Sequence, residues 1–144
     1  MKQKINKISI FPYIYKVRVY YEDTDAGGVV YHSNYLKFAE RARTEMLRKM
    51  DIQQHKLKCN YNIQFIVKKL SVEYNKPSML DDLIKIECSI LKVSAAKIIM
   101  KQVMYRKNDL IATINLTLGS VNSLGKPVRL PTKIHNKLKY NINS

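Results

Sequence analysis

The run RVYYEDTDAGGVVYHSNY, from Arg18 to Tyr35, holds the residues of this chain best suited to chemistry. Two carboxylates, Asp23 and Asp25, precede a glycine pair, Gly27 and Gly28, and a histidine follows at position 32. A carboxylate at a strand–helix junction can attack an electrophilic carbonyl or deprotonate the water that does. Asp25 is the candidate for that role, and the competing reading makes it an Asx-turn or capping residue. Asp23 reads as a turn former or a supporting partner. Gly27 and Gly28 permit positive φ and a close approach of backbone to ligand. An imidazole can orient a substrate or shuttle a proton near neutral pH, so His32 is the second candidate. The Tyr21 hydroxyl could hold and tune Asp25, with plain packing as the alternative for a strand aromatic. Tyr31, beside His32, is a candidate substrate contact. His55 and His135 lie outside any motif and read as surface residues.

Elements must position these groups. Lys16 to Glu22 alternates and is rich in β-formers, which predicts a strand that Asp23 to Gly28 then breaks. Ser33 or Asn34 is a credible N-cap, and YLKFAERARTEMLRKM predicts a helix to about Met50. At about 100° per residue, Tyr35, Leu36, Phe38, Ala39, Ala42, Met46, Leu47 and Met50 cover roughly half the circumference. That arc is wider than the stripe of a surface helix and suits one embraced by a curved sheet. Arg43 and Lys49 fall inside the arc and are expected to snorkel or be paired. The first amides of the helix have no internal partner. At the positive end of the dipole, they can stabilise a carbonyl oxygen as it gains negative charge.

Beyond about Asn60 the chain reads as almost entirely β. Ile63 to Asn75, Leu83 to Val93, Ala95 to Arg106 and Leu110 to Val121 are long runs with short breaks, the mark of hairpins and an antiparallel sheet. Ile84, Ile86, Cys88 and Ile90 share one face; Leu110, Ala112, Ile114, Leu116 and Leu118 share another. The fold class is therefore α+β, with one long central helix wrapped by a curved antiparallel sheet. The polar tail from Thr132 is expected to fray. One domain spans 1–144, with its core at about 16–131 and flexible ends.

Composition bounds the function. At 144 residues the chain can bury one substantial core, and 46% hydrophobic with 26% charged residues is a globular balance. The net charge is 26 − 11 = +15, but the basic residues are scattered, with no run of five. They read as a solvated surface able to attract anionic phosphates, and no nucleic-acid partner is expected. Cys59 and Cys88 show no metal-ligand spacing and read as reduced, inert thiols. No signal peptide, membrane span, P-loop or GxSxG elbow is found, so the expected location is the cytoplasm.

The run RVYYEDTDAGGVVYHSNYLKFAERARTEMLR, with VEYNKPSMLDD and KPVRLP further on, resembles the hotdog-fold acyl-CoA thioesterases of the 4-hydroxybenzoyl-CoA thioesterase type. Within these it is most similar to the bacterial Tol–Pal-associated group. The resemblance covers roughly residues 16 to 135. It implies a hotdog fold, hydrolysis of an acyl-CoA to a carboxylic acid and free CoA, no metal or other cofactor, and a homodimer or homotetramer. The aspartate of the family's DxxG segment matches Asp25, and the oxyanion donor is the amide near His32. Two alternatives stay open: a thioesterase acting on acyl carrier protein, and a non-catalytic acyl- or partner-binding scaffold linked to the cell envelope.

Overall fold

The computed structural model describes residues 11–142. Strand β1 (Tyr13–Arg18) leads into a one-turn 3-10 helix (Tyr21–Asp23) and then helix α1 (Asn34–Lys49). Helix α2 (Gln54–Tyr61) follows. Strands β2 (Gln64–Tyr74), β3 (Leu83–Val93), β4 (Lys97–Arg106) and β5 (Asp109–Val121) come next, and helix α3 (Thr132–Tyr140) closes the described chain. The five strands form one antiparallel sheet in the order β1-β3-β4-β5-β2.

Helix and sheet meet as the periodicities require. Tyr35, Phe38, Ala39, Ala42, Met46, Leu47 and Met50 of the predicted arc are all buried, and Leu36 is half-buried. Opposite them Ile84, Ile86, Cys88 and Ile90 of β3 are fully buried, on the shared face that alternation assigned. Removing a side chain such as Phe38 from this interface would cost about 3–5 kcal/mol. Lys49 turns out to solvent, while Arg43 is buried and paired. Its guanidinium donates from Nη1 to Gln102 Oε1 at 3.0 Å. Gln102 Nε2 in turn donates to the Ala39 carbonyl at 2.9 Å and to Cys88 Sγ at 3.2 Å.

Several expectations are corrected. The first strand is Tyr13–Arg18 and does not reach Glu22: the Asp23 carboxylate accepts from the Tyr20 N–H at 2.8 Å and curls Tyr21–Asp23 into a turn. Leu110 does not share the face of Ala112 and Ile114. The β4–β5 register shifts between Met104 and Tyr105, leaving Ile111 unpaired there. The bulge buries both Ile111 and Ala112 and turns Leu110 outward. The tail from Thr132 is not frayed. It forms α3, which buries Ile134 and Leu138, so the core extends beyond residue 131. Helix α2, which the sequence reading lacked, buries Leu57. Ser33 occupies the N-cap of α1 without a side-chain cap; instead Asn34 Nδ2 donates to the Asp23 carbonyl at 2.8 Å. Of the ends expected to be flexible, residues 1–10 and 143–144 lie outside the described residues.

Candidate active site

The segment from Asp23 to Val30 folds back on itself as a short ladder. Tyr31 N–H donates to the Asp23 carbonyl at 3.0 Å, Thr24 bridges Val30, and Asp25 N–H donates to the Val29 carbonyl at 2.8 Å. The tip is closed by Asp25 itself. Its Oδ1 accepts from Gly27 N–H at 2.8 Å and its carbonyl from Gly28 N–H at 3.0 Å. Gly28 sits at φ +80°, a conformation that glycine adopts without strain. The ladder is stitched to the loop after β2, where Val29 bridges Met79 and Val30 N–H donates to the Ser78 carbonyl at 2.8 Å. Asp25 is thus both an Asx-turn residue and an exposed carboxylate with a free second oxygen among the described residues.

His32 follows the ladder at the start of α1. Its ring lies 4.5 Å from that of Tyr31 and 6.4 Å from that of Tyr74, the latter edge-on at 87°. The Tyr74 hydroxyl donates to the His32 carbonyl at 3.0 Å. Tyr74 also packs on Tyr35, with centroids 5.7 Å apart. His32, Tyr35 and Tyr74, with Val30 and Pro77, line a recess of about 250 Å³. Burial, and then the neighbouring Tyr35, push the Tyr74 phenol above its usual range, so it remains a proton donor at neutral pH. Among the described residues the backbone N–H groups of His32 and Ser33 donate to no partner.

The predicted residues therefore fall into two clusters on one ladder. Asp25, Gly27 and Gly28 share the turn; His32 lines the aromatic recess with the Tyr31 ring 4.5 Å from its own, and no hydrogen bond joins His32 to Asp25. Tyr21 belongs to neither. Its side chain is 82% exposed and does not reach Asp25, while its carbonyl accepts from the Thr24 N–H and hydroxyl. The 3-10 turn that replaces the expected strand leaves Tyr21 exposed, with no hydrogen bond to Asp25 among the described residues. Tyr35 falls on the predicted apolar arc of the helix and Tyr74 only within a predicted strand, and a contact across 42 positions brings Tyr74 to His32. A roomier cavity, about 790 Å³, lies elsewhere, among Lys16, Arg18, Asp82, Lys85 and Arg106. It holds none of the candidate residues, and its Arg106 is committed to Asp82 at 2.9 Å. The chemistry of the ladder outweighs the volume. Among the described residues no three His, Cys, Asp or Glu side chains group as metal ligands, and no helix is long and apolar enough to cross a membrane.

Comparison with known proteins adds to this geometry. The family model of the thioesterase-like superfamily matches residues 19–138. The chain is similar to the acyl-CoA thioesterase YbgC of Haemophilus influenzae, at 42% identity over 122 residues, 83% of this chain and 89% of that one. Among solved structures it resembles a probable thioesterase from Bartonella henselae, with TM-score 0.79 and 32% identity over 82% of this chain and 98% of that chain. The 1,4-dihydroxy-2-naphthoyl-CoA thioesterase of Synechocystis superposes with TM-score 0.81 at 19% identity, covering 88% of this chain and 94% of that one, a likeness of fold.

Proposed function

The chain belongs to the thioesterase-like superfamily, and from that membership we propose that Asp25 drives hydrolysis of a thioester whose carbonyl is polarised at the start of α1. The fold is the hotdog fold, and the reaction is cleavage of an acyl-CoA to a carboxylic acid and free CoA. The observation that carries the site assignment is the pairing, along one short ladder, of an exposed carboxylate with two unengaged amides. As a general base, Asp25 takes a proton from water while the oxygen adds to the carbonyl carbon. The C–S bond then breaks and the CoA thiolate leaves, taking up the proton. As a nucleophile, an Asp25 oxygen adds directly, the C–S bond breaks to release the CoA thiolate, and water hydrolyses the resulting anhydride, its proton passing to the thiolate. Either route builds negative charge on the carbonyl oxygen, and N–H donors at a helix start stabilise it. His32 orients the substrate or relays the proton, and Tyr31, Gly27 and Gly28 flank the acyl group.

The deciding experiment is Asp25→Asn. The new side chain keeps an oxygen that can accept from Gly27 N–H, so the turn and the fold persist while base and nucleophile are lost. The expected result is at least a hundred-fold loss of turnover, roughly the contribution of a positioned base, with unchanged thermal unfolding. Turnover within a few-fold of wild type refutes the assignment. His32→Ala preserves the backbone donor and so separates imidazole from amide.

The same reading extends to partners. β2 is an edge strand that exposes Ile66 and Val67. Joining two copies along it covers unpaired backbone groups, so a homodimer, or two dimers paired as a homotetramer, is the proposed assembly. The net charge of +15 suits the phosphates of CoA and equally an acidic acyl carrier protein. Comparing hydrolysis of the same acyl group on CoA and on the carrier protein distinguishes the two. A cytoplasmic location fits a CoA substrate, and association with the Tol–Pal system rests on the family resemblance alone.

A further inference from the structure

We infer that Tyr74 is a positioning residue for the reaction, holding the peptide at His32 so that the backbone donors face the thioester carbonyl. The inference rests on the functional reading above. Its basis is the planarity of the peptide. A trans peptide points its C=O and its N–H in opposite directions, so fixing one fixes the other. The His32 carbonyl and the Ser33 N–H belong to one such unit. The Tyr74 hydroxyl grips that carbonyl at 3.0 Å. The Ser33 N–H is therefore aimed away from Tyr74, and it has no partner among the described residues.

The neighbouring unit is fixed in the same way. The Tyr31 carbonyl accepts from Asn34 N–H at 2.8 Å, which directs the His32 N–H to the opposite side. His32 is thus clamped on both flanks, one by a backbone turn and one by a side chain from a distant strand. Without the Tyr74 bond, neither the carbonyl nor the N–H of the peptide between His32 and Ser33 has a hydrogen-bond partner among the described residues, and Ser33 gives no side-chain cap to hold the helix start.

Tyr74 is well placed to act as an anchor. It ends β2, pairs with the fully buried Ala112, and is followed by two N–H groups, of Asn75 and Lys76, that both donate to the Ile111 carbonyl. The strand end is therefore rigid, and a donor on a rigid element sets geometry better than one on a loop. Its ring is held between His32 and Tyr35. The direction of its titration also fits, since a phenol pushed upward by burial stays protonated across the working range.

Tyr74→Phe keeps the ring and deletes the one atom in question. The donors survive but lose their alignment, so kcat should fall about ten-fold, less than the loss of a donor outright. KM for the acyl-CoA should stay within two-fold, because the hydroxyl binds protein and not substrate. The second readout is the carbonyl stretch of acyl-CoA bound to the Asp25→Asn variant, which cannot turn it over. Polarisation by the donors lowers that frequency, and adding Tyr74→Phe should recover part of the shift. A purely structural hydroxyl would leave the frequency where it was. If kcat is unchanged, or the stretch does not move in the double variant, the inference is wrong and the site reading stands. If the wild type cleaves no thioester in a short-to-long acyl panel, both fall together.

Discussion

Gly27 N–H donates to Asp25 Oδ1 at 2.8 Å, and a Cβ built on Gly27 would lie 3.2 Å from the same oxygen. The turn that presents the carboxylate is closed against it, with no room for a methyl group unless the carboxylate gives way. Gly27→Ala should therefore lower kcat about ten-fold or more through misplacement of Asp25, with little change in melting temperature. Steady-state kinetics beside a thermal scan check it. A fully active alanine variant would mean that the setting of this carboxylate does not govern the reaction.

The two cysteines should separate cleanly by reactivity. Cys59 is exposed, whereas Cys88 is buried under α1, and burial pushes its thiol up to about 11, against smaller opposing effects of Gln102 and Arg43. Iodoacetamide on the native protein should modify one thiol, and the second should react after denaturation. The sign of the linkage follows. The native state holds the Cys88 proton while the unfolded chain releases it near pH 8.5, so stability is level below that value. It then declines toward pH 11, by about 3 kcal/mol in all. Cys88→Ala should flatten that alkaline slope in denaturant titrations.

Assembly offers a third test. Val67 is 45% exposed on the edge strand β2, beside Ile66. Light scattering should give a multiple of the 16.8 kDa chain mass for the wild type. Val67→Asp places a charge on that edge and should shift the mass toward one chain. A wild type that is monomeric at micromolar concentration contradicts the proposed dimer.

Salt should act on binding and not on chemistry. If the positive surface gathers CoA phosphates, KM for an acyl-CoA rises with ionic strength while kcat holds, since exposed charge pairs are weak and screened. The same acyl group on N-acetylcysteamine lacks those phosphates and should show little dependence. Parallel salt curves for the two substrates would leave the charge without a role in CoA capture.

The sequence was legible where one rule governed each residue. Leu83 to Val93 alternates on both faces and its limits match β3. The broad apolar arc of α1 anticipated its burial, with Leu36 half-buried, and Lys49, the last residue of the helix, reaches solvent. The misreadings arose where a contact overrode local propensity. Tyr20, Tyr21 and Glu22 look like strand, yet a single carboxylate three residues after Tyr20 winds them into a turn and carries Tyr21 away from Asp25. Ile134 and Leu138 sit four apart amid Lys and Asn, and that small apolar stripe is enough for α3 once β3 lies beneath it. The turn at Asp25 and Gly28 was readable from residue type. The part played by Tyr74 was not, because it exists only after β2 has been laid beside the start of α1.

The Arg43–Gln102 bond sets a coordinate that the hydrophobic surfaces leave loose. A greasy trough holds a rod down but lets it slide lengthwise and roll. One guanidinium tied to the middle of β4, with Ala39 O tied to the same amide, allows a single seating of the rod. Breaking it by Arg43→Ala leaves Gln102 Oε1 without a partner in the interior and should cost about 1–3 kcal/mol, whereas replacing both partners with leucines need not. The leucine pair would instead leave the rod free to drift, and at its start lie the two amides proposed to polarise the thioester carbonyl. The protein then melts normally and works poorly, a defect of alignment with no signature in its stability.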